Sequence, residues 1–491
     1  MDAAPPTGLR ERVVRGGALA VGAQFLRTAV STLALMALAR LVAPEDFGLV
    51  AMAGVFTGSL GLFRNIGLET ALQREEVLAP GLASNVFWCA LAAGCALSLA
   101  GLALAPFAAW FYGEPAVLPI AAAAAAVFML DGVGAVPLAL LRRELRIADA
   151  TAADLAGLLA GSGAAITIAL ATRSPWSLVA QPLAASAVCG AVAWRRSGFR
   201  PSAPIRGTGI RRLIRFGADL LGVRILGYAY GNTESLLLGR AWGPHEVGLY
   251  SRANALMLMP LQLCTAPLQH VAVPALSKFQ REPERLARAF LDLIEQAALY
   301  LLPLVALLVA VPELLVRVVL GPEWVASAGL VRLLALWALV QPFLNMSNWL
   351  FLALGKSRAY LRYQVVSVAF VVGGAVLAAP HGMHALAAVF VASGFCLRLP
   401  LYLWFLGRHT PVSAADFLRA LLPFLAATVA GLGAFTGVAA ALPMASESGT
   451  KAVALCVGAA CHAAVLALFP RGREVLRRTR GLVRSLLERR G

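Results

Sequence analysis

The chain has 491 residues, of which 60% are apolar and only 14% charged, and its mean hydropathy is +0.77. A soluble domain carries roughly 25% charged residues, so this composition excludes a soluble globular protein and requires an integral membrane one. The net charge of +17 would suit nucleic acid, but its placement along the chain, described below, excludes that partner.

Apolar runs of about 20 residues can each cross a bilayer as a helix. Fourteen such runs begin near residues 15, 46, 83, 116, 147, 175, 214, 246, 288, 325, 359, 384, 416 and 451. Ala and Gly dominate the fourth and fifth breaks, and merging runs there would leave twelve or thirteen. A short tail, 1–14, precedes the first run. That run is too long for a signal-peptide core and is interrupted by Arg27, so it reads as a retained first helix. Arg27 lies twelve residues past Arg15 and thirteen before Arg40, roughly 18 Å from either along a helix. That is mid-bilayer, and Gln24 shares its face.

The turn after the first run, Arg40-Leu-Val-Ala-Pro44-Glu-Asp-Phe-Gly48-Leu49, returns after the seventh as Arg240-Ala-Trp-Gly-Pro244-His-Glu-Val-Gly248-Leu249. Extending the register backwards gives eleven identities in thirty-five ungapped positions. Pro44 and Pro244 are each expected to open a helix at its first turn. Two copies separated by six helices start on the same side, which is a parallel repeat, and transporters place their site between such halves. The expected architecture is all-α: a six-helix bundle at 15–196, a linker at 197–210, a second six-helix bundle at 211–407, and two further helices at 408–470. Gly157-x3-Gly161 and the alanines 121–126 read as close helix packing. The final segment, 471–491, alternates apolar positions with eight Arg and two Glu. It is expected to lie as an amphipathic helix on anionic membrane lipid.

Sorting the 42 Lys and Arg by loop puts 31 in the two tails and the even-numbered loops, and five in the odd-numbered loops. This bias predicts that both termini are cytoplasmic. The seven cysteines fall in spans without metal or disulfide spacing and read as small packing residues. His381 and His384 read as solvated turn residues. Neither a metal site nor a cofactor is expected.

Ionisable residues inside spans are the functional clues, because each costs about 2.5–3.5 kcal/mol at a helix centre on insertion scales. Besides Arg27, the second span carries Arg64 and Asn65, and the eighth Arg252 and Asn254. The seventh carries Asp219, Arg224, Tyr228, Asn232 and Glu234, with Arg224, Tyr228 and Asn232 on one face. Arg64 and Arg252 lie nearer helix ends, within snorkelling reach, and Asp219 could pair with Arg224. Arg332 and Arg398, in later spans, read as structural or snorkelling. The remaining candidates fall on the leading helices of each copy, as a central cavity requires. Arginine stays charged and fits phosphate oxygens, so the pattern points to an anionic substrate.

The opening around Ala39 to Leu49 resembles that of bacterial polysaccharide flippases of the Wzx and colanic-acid-exporter type. So do Asn232-x-Glu234-x4-Gly239-Arg240, Gly248-Leu-Tyr250-Ser-Arg252-Ala and Pro274-Ala-Leu-Ser. The resemblance covers about residues 10 to 440. That family belongs to a superfamily with the multidrug and toxin extruders and lipid II flippases. Where it carries Asn-x-Asp in helix seven, this chain has Asn232-Thr-Glu234, which alters any shared coordination geometry.

The resemblance implies an inner-membrane protein of bacteria that moves an undecaprenyl-diphosphate-linked oligosaccharide to the periplasmic leaflet by alternating access. The product would feed O-antigen, capsule or exopolysaccharide synthesis, with a polymerase and export machinery as further partners. On this reading Arg27, Arg64, Arg224 and Arg252, with Gln24, attract the diphosphate, and Tyr228 and Asn232 contact sugar. Proton or sodium coupling would use Asp219 or Glu234. The alternatives are a cation-coupled multidrug exporter and a lipid II flippase. A membrane glycosyltransferase or polymerase would need a larger loop and catalytic carboxylates, so no enzyme activity is expected.

Overall fold

The computed structural model describes residues 7–64, 72, 81–205, 221–441 and 447–477. Among the described residues all regular structure is helical. The first nine long helices are α1 (Thr7–Leu41), α2 (Pro44–Arg64), α3 (Leu82–Tyr112), α4 (Val117–Arg143), α5 (Ile147–Thr172), α6 (Trp176–Ser197), α7 (Leu221–Trp242), α8 (Pro244–Lys278) and α9 (Pro283–Ala310). A short α10 (Pro312–Val319) leads to α11 (Ala328–Ala338) and α12 (Gln341–Ala353). Then come α13 (Ser357–Ala378), α14 (Met383–Ser393), α15 (Leu399–His409), α16 (Ala414–Ala441) and α17 (Glu447–Leu468).

Among the described residues, eleven helices are long and apolar enough to cross a membrane, or twelve if α11 and α12, bent by 41°, form one span. This is fewer than the fourteen expected. The two expected spans not among them are α7 and α8. The first helix begins at Thr7, eight residues ahead of its expected start. Pro44 and Pro244 do open α2 and α8, where a missing N–H costs nothing.

The chain forms two compact units, Met1–Leu249 with Val319–Glu323, and Tyr250–Val318 with Trp324–Gly491. In the first, α5 lies along α6 and α3 along α4. Glycines set the spacing: a Cβ on Gly157 would stand 2.6 Å from Ala185 O, and one on Gly161 2.5 Å from Gln181 O. On the other pair, a Cβ on Gly94 would stand 2.5 Å from Phe128 O. The small-residue motif is therefore a packing device, as expected, and backbones meet where side chains are absent.

The start of the linker is bound to α3. Asn85 Nδ2 donates to Ile205 O (2.5 Å) and Ile205 N to Asn85 Oδ1 (2.8 Å). Ser202 N donates to Ser84 Oγ and Trp88 Nε1 to Ser202 O, each at 2.9 Å. Phe199 closes this strap against Phe87 and Trp194.

In the second unit, α16 packs on α17 and against α9, burying Phe417 and Phe424 completely. A π-helical turn, Gly394–Arg398, interrupts the helix between α14 and α15. Arg398 does not snorkel: it is buried, donates from Nε to Ser367 Oγ (3.1 Å), and lies 4.7 Å over the Trp337 ring. Arg332, by contrast, is exposed. The basic tail begins on protein: Arg471 lies 3.6 Å from Glu295 of α9, and Val475 is buried. Its remainder, 478–491, lies outside the described residues.

Candidate functional site

Arg27 stands on α1 with an exposed side chain, as does Gln24 one turn earlier. No described carboxylate pairs with it. The local backbone is ordinary helix, with Thr28 Oγ1 donating back to Gln24 O (2.9 Å). An exposed guanidinium in the middle of an apolar helix has no structural task to explain it.

Arg64 ends α2 and forms an ion pair with Asp131 of α4. Asp131 lies fourteen residues into α4 and twelve before its end, at mid-depth. The pair is partly open, at 41% and 23% side-chain exposure. Arg64 is thus held by a carboxylate rather than snorkelling to a surface. Sequence reading had no means of choosing Asp131 as its partner; the one signal was an acid within an apolar run. Asn65 and Asp219 lie outside the described residues, as does the side chain of Arg224.

On α7, Tyr228 inserts its ring against α2. Its hydroxyl donates to Val55 O (2.6 Å) and Gly54 O (3.1 Å), and a Cβ on Gly58 would stand 2.5 Å from that hydroxyl. Gly58 forms the notch that admits it, and Gly54, one turn earlier, offers its carbonyl. Asn232, one turn further, donates to Tyr228 O (2.9 Å). The two residues expected to meet sugar therefore make helix contacts here. Glu234 is buried. Arg252 and Asn254, both partly buried on α8, belong to the second unit.

The carboxylates interior to α3–α6 are Asp131 and Asp154. Arg64 matches the first, and Arg142 Nη2 donates to Asp154 Oδ2 (3.1 Å). Nearer the helix ends, Asp149 accepts from Arg146 Nε (2.9 Å) and Arg196 Nη1 (2.5 Å). With these acids paired and no described carboxylate on Arg27, the described interior charge of α1–α6 favours an anion. Among the described residues, no cluster of three His, Cys, Asp or Glu side chains could hold a metal ion.

A chain with this many long apolar helices is a multi-pass membrane protein. Its fold matches that of the lipid II flippase MurJ in an inward closed conformation, with a TM-score of 0.68 and 10% identity over 92% of this chain and 99% of that one. It also matches an inward-facing multidrug resistance MATE family transporter of the MOP superfamily, with a TM-score of 0.63 and 16% identity over 80% and 96%. The chain belongs to the polysaccharide biosynthesis protein family, whose sequence profile matches residues 37–329, more than half its length.

Relatives include the succinoglycan biosynthesis transport protein ExoT of Rhizobium meliloti, 25% identical over 61% of this chain and 60% of that protein. The teichuronic acid biosynthesis protein TuaB of Bacillus subtilis is 22% identical, over 60% and 61%. The lipopolysaccharide biosynthesis protein WzxC of Escherichia coli is 22% identical, over 74% and 76%. The chain thus aligns with only about three-fifths of the length of the first two.

Proposed function

We propose that this protein is a flippase for a lipid-linked oligosaccharide, moving a polysaccharide repeat unit on undecaprenyl diphosphate from the cytoplasmic to the periplasmic leaflet. Family membership carries the reading, since relatives are named for succinoglycan transport and lipopolysaccharide biosynthesis. The charge pattern of α1–α6 supports it. A diphosphate needs fixed cations within the membrane, and Arg27 offers one that no described carboxylate has claimed. A cation-coupled drug exporter would need the reverse, a lone carboxylate, whereas the interior acids of α3–α6 are bound to arginine.

In this reading Arg27 and Gln24 meet the diphosphate first, with Arg64, Arg224 and Arg252 completing its surroundings. Tyr228 and Asn232 reach sugar only in a state where α7 has left α2. Asp219 or Glu234 takes the coupling ion, a proton or sodium. The protein crosses the inner membrane fourteen times with both termini cytoplasmic, as two six-helix bundles and two added helices, and works beside a polymerase and an export assembly. No step of this requires bond-making catalysis.

The test is mass spectrometry of lipid-linked oligosaccharides in a strain lacking the gene, with leaflet accessibility scored in spheroplasts. Complete repeat units should accumulate shielded in the cytoplasmic leaflet, and an Arg27→Ala chain should restore little export. Unchanged lipid-linked pools would end the flippase reading. Normal export through Arg27→Ala would end the role given to that residue alone.

A further inference from the structure

Taken together, α11 and α12 are long and apolar enough for one membrane span, broken by a 41° bend. The break falls between Ala338 and Gln341. Pro342 follows it and removes the N–H that Ala338 O would meet in an unbroken helix. Gln341 stands thirteen residues past Ala328 and twelve before Ala353, at mid-depth. From it a stripe runs along α12, where Gln341, Asn345, Asn348 and Leu352 fall within about 60° of arc. Asn345 and Leu352 are exposed and Asn348 is half-buried, while Phe343, Ser347 and Leu350 on the opposite side are completely buried. The helix packs against α9 and α13, and Tyr402 of α15 donates its hydroxyl to Ser347 Oγ, so one face of α12 stays open.

We propose that the open face of α12 is a sugar-binding site, in which the amides of Gln341, Asn345 and Asn348 hold the hydroxyl groups of the glycan within the membrane. The proposal rests on the transport reading above and adds to it the surface that the neutral, sugar part of the substrate meets. Lys356, Arg358 and Arg362 follow α12 in sequence, and a basic loop of this kind assigns that end to the cytoplasm. The stripe thus leads from the loading side to the centre.

An open face turned to lipid would be apolar, because an amide in hydrocarbon with nothing to bond is costly; the open face of α12 carries three amides instead. An interrupted helix at mid-depth is tolerated where it is buried in protein or lines water-filled space. Gln341, beside the interruption, is only 8% exposed, yet its Oε1 has no hydrogen-bond partner. A buried acceptor without a donor in the protein is suited to take one from outside it. The chemistry fits a neutral glycan: α12 carries no charged residue, and each amide presents one acceptor and two donor positions, the complement of hydroxyl groups that both donate and accept. A cationic drug would call for a carboxylate on this face.

The experiment uses the full-length protein with its seven native cysteines replaced by alanine and a single reporter, Asn345→Cys, with Leu350→Cys, at a fully buried position, as control. Inside-out vesicles receive a membrane-impermeant maleimide, alone or with one of two probes: oligosaccharide hydrolysed from the host's own surface polysaccharide, or undecaprenyl diphosphate without sugar. Asn345→Cys should label at least tenfold faster than Leu350→Cys. The oligosaccharide should slow that labelling at least fivefold, and undecaprenyl diphosphate should leave it unchanged. Labelling no faster than the control would overturn the site, as would a rate untouched by oligosaccharide or slowed equally by both probes. In cells, Asn345→Leu, confirmed as folded by a monodisperse elution profile, should cut export at least fivefold, and Asn345→Gln should keep most of it; full export through Asn345→Leu would also overturn the site. Gene deletion without any change in lipid-linked pools would instead strike the transport reading, while protection of Asn345→Cys would still report whether the face takes sugar.

Discussion

Arg64 and Asp131 stand 67 residues apart in sequence and share one place in the fold. Burying one charge without its partner is costly, but this pair is partly open, so screening limits its worth. A double-mutant cycle with Arg64→Gln and Asp131→Asn, read from unfolding in detergent, should give a coupling of about 0.5–1 kcal/mol. Zero coupling would mean that the two side chains act independently. At this scale the sequence was silent about partnership. The mid-bilayer depth expected of Arg27 rests on helical rise from Arg15 and Arg40 alone. That Tyr228 would find Gly54 and Val55, 174 and 173 residues away, depends on how α7 meets α2, and no local pattern encodes it. Arg398 shows the same limit: the sequence read it as structural or snorkelling, and only the fold supplies the aromatic ring from α11 and the hydroxyl from α13 that hold it inside.

Among elements, the α5–α6 pair depends on two positions without side chains. Gly157→Leu or Gly161→Leu should separate the helices and cost about 1–3 kcal/mol as overpacking does, read as a lowered unfolding temperature of the purified protein; Gly157→Ala should cost less. An unchanged midpoint for both leucine variants would mean that the helices do not meet there. The strap at 198–205 makes a different forecast. Asn85→Ala removes both partners of the Ile205 backbone, and leaving such groups unsatisfied costs about 1–3 kcal/mol. Limited proteolysis should then cut within 198–205 several-fold faster than in the parent, whereas an equal rate would show that the strap is held by Phe199 and Ser202 alone. Element positions were largely legible, because proline and glycine punctuate the apolar runs: Pro44, Pro244 and Pro283 each open a helix. The bend between α11 and α12 and the π-turn before α15 were not. Both occur within continuous apolar sequence, where composition reports burial and not hydrogen-bond register.

For the molecule as a whole, the duplication read from sequence is also a contact. Gly48 and Gly248 each lie on the carbonyl of the other copy's proline, so Gly48→Ala and Gly248→Ala should impair export to about the same degree, each by several-fold, as scored by surface polysaccharide in a complemented deletion strain. A severe defect in one and none in the other would show that the two positions are not equivalent. The repeat pattern revealed that both positions wanted glycine, but not that the reason at each was the other. A self-complementary patch of this kind, in which each member offers the same surface to its counterpart, is the geometry of a two-fold homodimer interface. Here both members of the pair are encoded by one gene, so drift at either glycine is tested against a carbonyl encoded two hundred codons away.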